Sequence, residues 1–383
     1  MKPKLFLFFT PFLITNTLCA CSSNENMKIN NNQIDKYKII YAENPDTSFI
    51  SQYPQYNVID DLEFDKITAT ELQTYIQNKF GVTLDVCLDK DTDKSDYEIV
   101  IGTTNRSIGD YLIMSPYDMD IKVNKNSLYI NGGSFGSTYQ AMKQLMNQLD
   151  KKPTIPANYS FKGKADLTTI ACVGDSITEG ASVYIEGVTV DFADNKKYFS
   201  YPVVLQRLFW KDCYVHQLGC SGSCVRADIV EHAYINTPQW NTLMLNGGDI
   251  DIALIMLGTN DSYWDTNKKL SDLEKQIFIS SYEGMLQQML EKNKNMKFTM
   301  FNCPITYGAP YSATQDVLDT QDMTYEYLIN KNYPIQFYNM REATEQMDKS
   351  VFSDGVHLSS RGSGVVAQLI ATIIEQQYNL KKS

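Results

Sequence analysis

The sequence predicts two α/β units in tandem, the second built on a doubly wound parallel sheet. Three observations carry this. From Asp166 onward, short apolar runs alternate with helical patterns. Each apolar run ends in a polar or glycine-containing turn. The segment before Asp166 has helix, strand and hairpin signals of its own. Strands covered by helices on both faces read as short apolar runs. Such runs lie at Thr169 to Val173, Cys213 to Leu218, Ile250 to Leu257, Lys297 to Asn302 and Ile335 to Tyr338. Helical patterns fall at Tyr201 to Trp210, Leu273 to Lys292, Asp316 to Ile329 and Val365 to Tyr378. Five strands with helices between them fit a flavodoxin-like layer, which binds ligands beyond the carboxyl ends of its strands.

The upstream unit is smaller. Apolar positions at Ile67, Leu72, Tyr75, Ile76 and Phe80 have helical spacing, and Gly81 stops that helix. Tyr97 to Ile101 reads as a strand ending at Gly102. Asp120 to Ile130 alternates and reads as a hairpin turning near Asn124 to Asn126. Gly132-Gly133 is a loop, and Ser137 to Leu149 a second helix. Lys151 to Lys164, with Pro153 and Pro156, connects to the next unit. The expected boundaries are therefore 36–163 for the first unit and 164–383 for the second.

The amino terminus has the marks of a processing segment. Lys2 and Lys4 precede an apolar stretch from Leu5 to Ile14, shorter than the ~20 residues a spanning helix needs. It reads as a secretory leader. Leu18-Cys19-Ala20-Cys21 resembles the bacterial lipobox, so the expectation is a signal peptide over 1–21 and lipidation at Cys21. Residues 22–35, rich in Asn and Ser, read as a flexible tether. The chain is then expected on the bacterial cell envelope, periplasmic or surface-exposed, held to the membrane by its lipid.

Composition narrows the partners. With 43% hydrophobic and 21% charged residues the chain is ordinary globular protein. A net charge of −11 and the lack of a basic stripe exclude nucleic acid. The 25 tyrosines suit sugar or interface surfaces, and equally a partly buried core. Outside the leader there are six cysteines. Cys220 and Cys224 are close enough in sequence to pair, while Cys172 and Cys303 lie in apolar strands. Cys and His do not fall at ligand spacing, so neither a metal site nor a cofactor is expected.

The chemistry sits after the strands. Gly174-Asp175-Ser176 follows the first, Gly219-Cys220-Ser221-Gly222 the second, and Gly258-Thr259-Asn260-Asp261 the third. Asp354-Gly355-Val356-His357 lies beyond the fifth. A parallel sheet brings these four segments to one edge. Serine needs a base within hydrogen-bond reach to act as a nucleophile. Of the three histidines, only His357 has a carboxylate three residues earlier. Asp354 can fix its tautomer and stabilise the imidazolium. His216, inside a strand pattern, reads as a packed core residue, and His232 as a loop residue. The backbone N–H groups of Ser176 and Gly222 and the Asn260 amide are candidate donors to an oxyanion.

These blocks resemble the GDSL, or SGNH, hydrolase family: Ser176 in Gly-Asp-Ser-Ile-Thr-Glu-Gly, Gly222 in Leu-Gly-Cys-Ser-Gly, Asn260 in Leu-Gly-Thr-Asn-Asp, and His357 in Asp-Gly-Val-His. The resemblance spans residues 168 to 380 and implies the SGNH hydrolase fold and a metal-independent serine esterase. One departure is an insertion at 181–199, with a strand-like Val188 to Phe192, expected to wall or cover the site. The first unit resembles the small α/β domain that precedes the barrel in β-N-acetylhexosaminidases and α-glucuronidases. It does so through Glu71-Leu72-Gln73-Thr74-Tyr75-Ile76, Tyr97-Glu98-Ile99-Val100-Ile101-Gly102 and Ile130-Asn131-Gly132-Gly133 with Gly136 and Tyr139. Together these resemblances imply removal of O-acetyl or similar small acyl groups from a glycan. The alternatives are a lipid esterase (lysophospholipase) of the same family, and a surface glycan-binding lipoprotein with an inactive hydrolase domain.

Overall fold

The computed structural model describes residues 26–106, 115–262, 269–304 and 314–383. The leader with Cys21 lies outside them. The described chain opens on a hairpin, β1 (Lys28–Ile29) and β2 (Asn32–Gln33), with Asn30 and Asn31 at φ 46° and 63° between them. Two positive-φ residues at the turn match the twist of paired strands, and asparagine tolerates that conformation. This corrects the expected tether through residue 35. Met27 and Ile29 are fully buried, and β1 pairs in parallel with Thr154–Ile155. The asparagines that suggested a solvated linker instead close the turn and bond to Asn126.

Next come β3 (Lys38–Tyr41), the single turn α1 (Thr47–Ile50), the long α2 (Phe64–Phe80), β4 (Val86–Leu88) and β5 (Glu98–Ile101). The hairpin β6 (Asp118–Asn124) and β7 (Ser127–Gly132), α3 (Phe135–Lys151), β8 (Thr154–Ile155) and β9 (Ser160–Lys164) complete the unit. Its sheet runs β4-β3-β5-β7-β6-β9, with β6 antiparallel to both neighbours and the first four strands parallel. Leu72 and Ile76 of α2 and Ala141 and Leu145 of α3 share a core with Ile39, Ile99 and Ile130 of the sheet. Gly81 ends α2 at φ 72°, and a capping box between Ser134 and Ser137 starts α3.

The second unit follows: β10 (Thr168–Gly174), α4 (Ser176–Glu179), α5 (Phe192–Asp194), α6 (Tyr201–Leu208), β11 (Cys213–Gly219), α7 (Pro238–Asn246) and β12 (Ile252–Met256). Then come α8 (Asp272–Lys292), β13 (Lys297–Phe301), α9 (Gln315–Asn330), β14 (Ile335–Tyr338), α10 (Met340–Glu345) and α11 (Ser360–Tyr378). The strands are all parallel in the order β11-β10-β12-β13-β14, the flavodoxin-like arrangement. Side chains of β10 alternate between two cores. Ile170 and Cys172 pack with residues of α6 and α11, and Ala171 and Val173 with residues of α7 and α8. The chain steps from β10 to β11 on one side and to β12 on the other. The loops after these three strands are therefore neighbours, the usual place for a site in such sheets.

Residues 181–199 hold no strand, which corrects the reading of Val188 to Phe192. The segment is irregular to Asp191 and then helical through α5 and a π turn at Asn195–Phe199. Val190 finds its burial in a cluster that joins the two units, with Ile50, Tyr56, Phe199 and Trp210. Its amide donates to Ser360 Oγ at 3.2 Å rather than to a strand. Phe49 stacks on Tyr198 across the same seam, with ring centroids 4.3 Å apart. Cys220 and Cys224 are both free thiols, and the Cys224 backbone bridges to Ala233 instead.

Candidate active site

Ser176 is the first residue of α4, two residues past β10. Asp175 builds the turn by capping α4, its Oδ1 accepting the Ile177 amide at 3.0 Å. Burial pushes the Asp175 carboxyl up to about 6, against hydrogen bonds from Ile177 and Thr259 that lower it. Thr178 and Tyr201 join their hydroxyls at 3.0 Å and fix α4 to the start of α6. On the other side, α4 lies directly on Gly219. A Cβ at that position would come within 2.1 Å of the Glu179 amide nitrogen, so only glycine permits the approach.

Ser176 Oγ lies 2.9 Å from His357 Nε2, and His357 Nδ1 lies 2.7 Å from Asp354 Oδ2. The other Asp354 oxygen accepts the amides of Val356 and His357 at 3.0 and 2.8 Å, so the loop is wound around its own carboxylate. Burial would raise the Asp354 pKa, but the bonds from His357 and these amides outweigh it and hold the carboxyl at about 2. Burial likewise opposes a charged His357, yet Asp354 lifts that imidazole above its ordinary value of 6.5. With Nδ1 donating to an ionised Asp354, Nε2 is the acceptor facing the serine proton. This geometry can deprotonate Ser176 as it attacks and return the proton to a leaving group.

Gly222 stands three residues past β11 at φ 78°, a conformation that favours glycine. Asn260 stands four residues past β12 and donates from Nδ2 to Ser223 O at 2.9 Å. Its hydrogen bond therefore goes to the glycine block rather than to Ser176. An amide nitrogen carries a second N–H, the one an oxyanion would use.

Three supporting residues escaped the sequence. Glu179 accepts the Ser221 amide at 2.9 Å, bonds the Ser221 hydroxyl and pairs with Lys196, clamping the glycine loop onto α4. Asp261 is fully buried and accepts the amides of Val225 and Arg226, each at 3.0 Å. Burial pushes it up to about 7 in spite of those bonds. Asn195, inside the insertion, donates to Gly180 O at 2.6 Å and accepts from Ser360 Oγ at 2.7 Å. It thereby ties the end of the serine turn to the start of α11. An acid directly after Asn260 was the visible signal for Asp261; Asn195 had none, because its partners are remote in sequence.

The remaining histidines stand elsewhere. His216 lies on β11 edge-on to Tyr214, and burial lowers its pKa. His232 lies in the loop before α7, its amide donating to Ile229 O at 2.9 Å. Among the described residues, no group of three or more His, Cys, Asp or Glu could hold a metal ion. Nor is any described helix long and apolar enough to cross a membrane.

A five-stranded parallel layer carrying a hydrogen-bonded serine, histidine and aspartate at its carboxyl edge is the frame of an acyl-transfer hydrolase. Residues 172–365 match the GDSL-like lipase/acylhydrolase family, and the chain belongs to that family. An acetylxylan esterase of Xylanibacter ruminicola is 24% identical over 272 residues, which are 66% of this chain and 52% of that protein. The chain thus spans about half the length of that relative. Similar solved structures include a family two carbohydrate esterase from Clostridium thermocellum in complex with cellohexaose. It is 15% identical and aligns over 58% of this chain and 70% of its own, with a TM-score of 0.43. Another is an aryl esterase of M. smegmatis, 17% identical over 55% of this chain and 99% of its own, with a TM-score of 0.40.

Proposed function

We propose that this chain is a serine esterase that removes O-acetyl groups from carbohydrate. The observation that carries the proposal is the unbroken line from Ser176 Oγ through His357 to Asp354, with contacts of 2.9 and 2.7 Å. Ser176 is the nucleophile, His357 the general base and then acid, and Asp354 the residue that orients it. The amides of Ser176 and Gly222 and the Asn260 side chain receive the oxyanion. The acetylxylan esterase similarity supports the substrate class. Anchoring through a lipid on Cys21 belongs to the same proposal, supported by the leader-like residues before it. Mass spectrometry of the amino-terminal peptide tests it, and an unmodified Cys21 in cells would remove it.

A lipid ester is the second reading, and one observation favours it. Val183, Tyr184 and Ile185 are 51%, 57% and 40% exposed. They sit beside the histidine loop, since the Val183 amide donates to Ser353 Oγ. An exposed apolar rim suits a long acyl chain. A panel of acetylated xylan and p-nitrophenyl esters of graded chain length decides. Acetyl preference, with acetate released from xylan, is expected. Faster turnover of long-chain esters would favour the lipid reading. Saturable glycan binding without turnover would mean an inactive hydrolase domain. A fluorophosphonate should label Ser176, and full activity in Ser176→Ala would defeat the assignment.

A further inference from the structure

A cavity of about 520 Å³ lies between the two units, within the usual range for small-ligand sites. In the first unit it sits beyond the carboxyl ends of β3, β5 and β7, between the first turns of α2 and α3, where Phe64, Gly102 and Ser134 line it. Parallel strands place ligand sites at that edge. In the second unit its wall comes from the end of α6 and from Tyr214, near the start of β11. Ser176 lies beyond the opposite end of that sheet, five residues of strand away, or roughly 17 Å.

Two buried charged residues line this space, and each keeps one sealed polar atom without a hydrogen bond. Asp65, in the first turn of α2, is 8% exposed and its Oδ1 has no hydrogen bond. Arg207, near the end of α6, is 7% exposed and its Nη2 has none. Both line the cavity. Burial pushes the Asp65 carboxyl up to about 7 and the Arg207 guanidinium down to about 10, so each charge is held at a cost. Asp46 offsets part of the cost at Arg207, but a carboxylate oxygen and a guanidinium nitrogen left without hydrogen bonds beside one cavity still cost stability. Their retention has a reason if the two side chains turn toward a ligand in the cavity and bond it.

We propose that the cavity is a second binding site, separate from Ser176, for one or two residues of a neutral saccharide. Adjacent hydroxyls donate to Asp65 and accept from Arg207, while Phe64, Phe135 and Trp210 offer apolar wall to the sugar's C–H face. A phosphate or uronate would meet Asp46, Glu43 and Asp65 on the same walls. A simple cation would meet Arg207.

The test uses the full chain carrying Ser176→Ala, so that the result does not depend on turnover. Calorimetric titration with xylose, glucose, xylobiose and cellobiose should give a saturable heat in the millimolar range or tighter. Asp65→Asn and Arg207→Met should each weaken it about tenfold or more. At mildly alkaline pH, both variants should melt higher than the parent when no sugar is present, because each removes a buried charge whose hydrogen bonding is incomplete. A purely structural pair would give lower melting and unchanged binding. The proposal is overturned if none of the four sugars binds. It is also overturned if binding survives both substitutions, or if a zwitterionic amino acid such as glutamate binds where the sugars do not.

Discussion

Gly219→Ala adds a single methyl group, yet it should disable Ser176 from across the sheet. The new Cβ would lie 2.1 Å from the Glu179 nitrogen and 2.6 Å from both Glu179 Cα and the Thr178 carbonyl carbon. All three atoms are backbone, so no side chain can swing away. Ordinary contact begins near 3.4 Å, so α4 must retreat by about 1.3 Å. The Thr178–Tyr201 bond resists the retreat on the far side. Ser176 begins this four-residue helix and moves with it. A shift of only about 0.5 Å along the 2.9 Å contact to His357 already exceeds the ~3.2 Å reach of proton transfer. The expected loss in kcat is about a hundredfold, with an overpacking cost of ~1–3 kcal/mol in stability. Turnover of p-nitrophenyl acetate and thermal melting measure the two effects. Gly284→Ala is the control, because its added Cβ meets nothing within 4 Å. If Gly219→Ala keeps parental kcat and melting temperature, the close approach of α4 to β11 is not what positions Ser176.

Further outcomes follow from the same geometry. His357 must be neutral to act as base, and Asp354 raises its pKa. The rising limb of kcat/KM should therefore lie above pH 6.5, and Asp354→Asn should cut kcat by ~10³–10⁴-fold without unfolding the chain. Asn260→Ala should lower kcat by ~10²–10³ and leave KM nearly unchanged, as an oxyanion donor requires; a KM effect alone would make it a substrate-binding residue. Asp65, Asp175 and Asp261 are held at about 7, 6 and 7 against 3.8 for a free side chain. Across that window the folded state keeps protons that the unfolded state has lost, so stability is fully present at low pH and falls as pH rises through 6 and 7. Melting temperatures taken across the window check the sign, and a steady rise would contradict it.

The sheet was legible because its strands are buried on both faces. A run such as Ile252–Met256 has no polar residue to interrupt it and stands out within two residues of its true ends. Three of the chemical blocks were legible for a related reason: each is the first polar stretch after such a run, whereas Asp354–His357 follows α10 and was legible from its Asp-to-His spacing. What hid was whatever depends on partners far away in sequence. Nothing local tells Asn30-Asn31 in a linker from the same pair closing a hairpin whose first strand pairs 126 residues downstream. Val188 to Val190 alternates like a strand, but its neighbours are Ser360 and an interdomain aromatic cluster, so it stays irregular. Nothing in the local sequence marks Asp65 or Arg207 as buried. Asp65 packs on Gly102 of its own unit, and Arg207 is buried where the two units meet.

The span between Ser176 and His357 also bears on the chain's own synthesis. The two residues are 181 positions apart, with nearly the whole second sheet between them. At a translation rate of ~5–20 residues per second, roughly 9–36 s separate their appearance at the ribosome. For that interval Ser176 is an alcohol like any other, with no base to draw its proton. On the proposed mechanism Ser176 is armed only after the last strand is in place and the final helix has begun to form, so a nascent or truncated chain would carry it in a silent state.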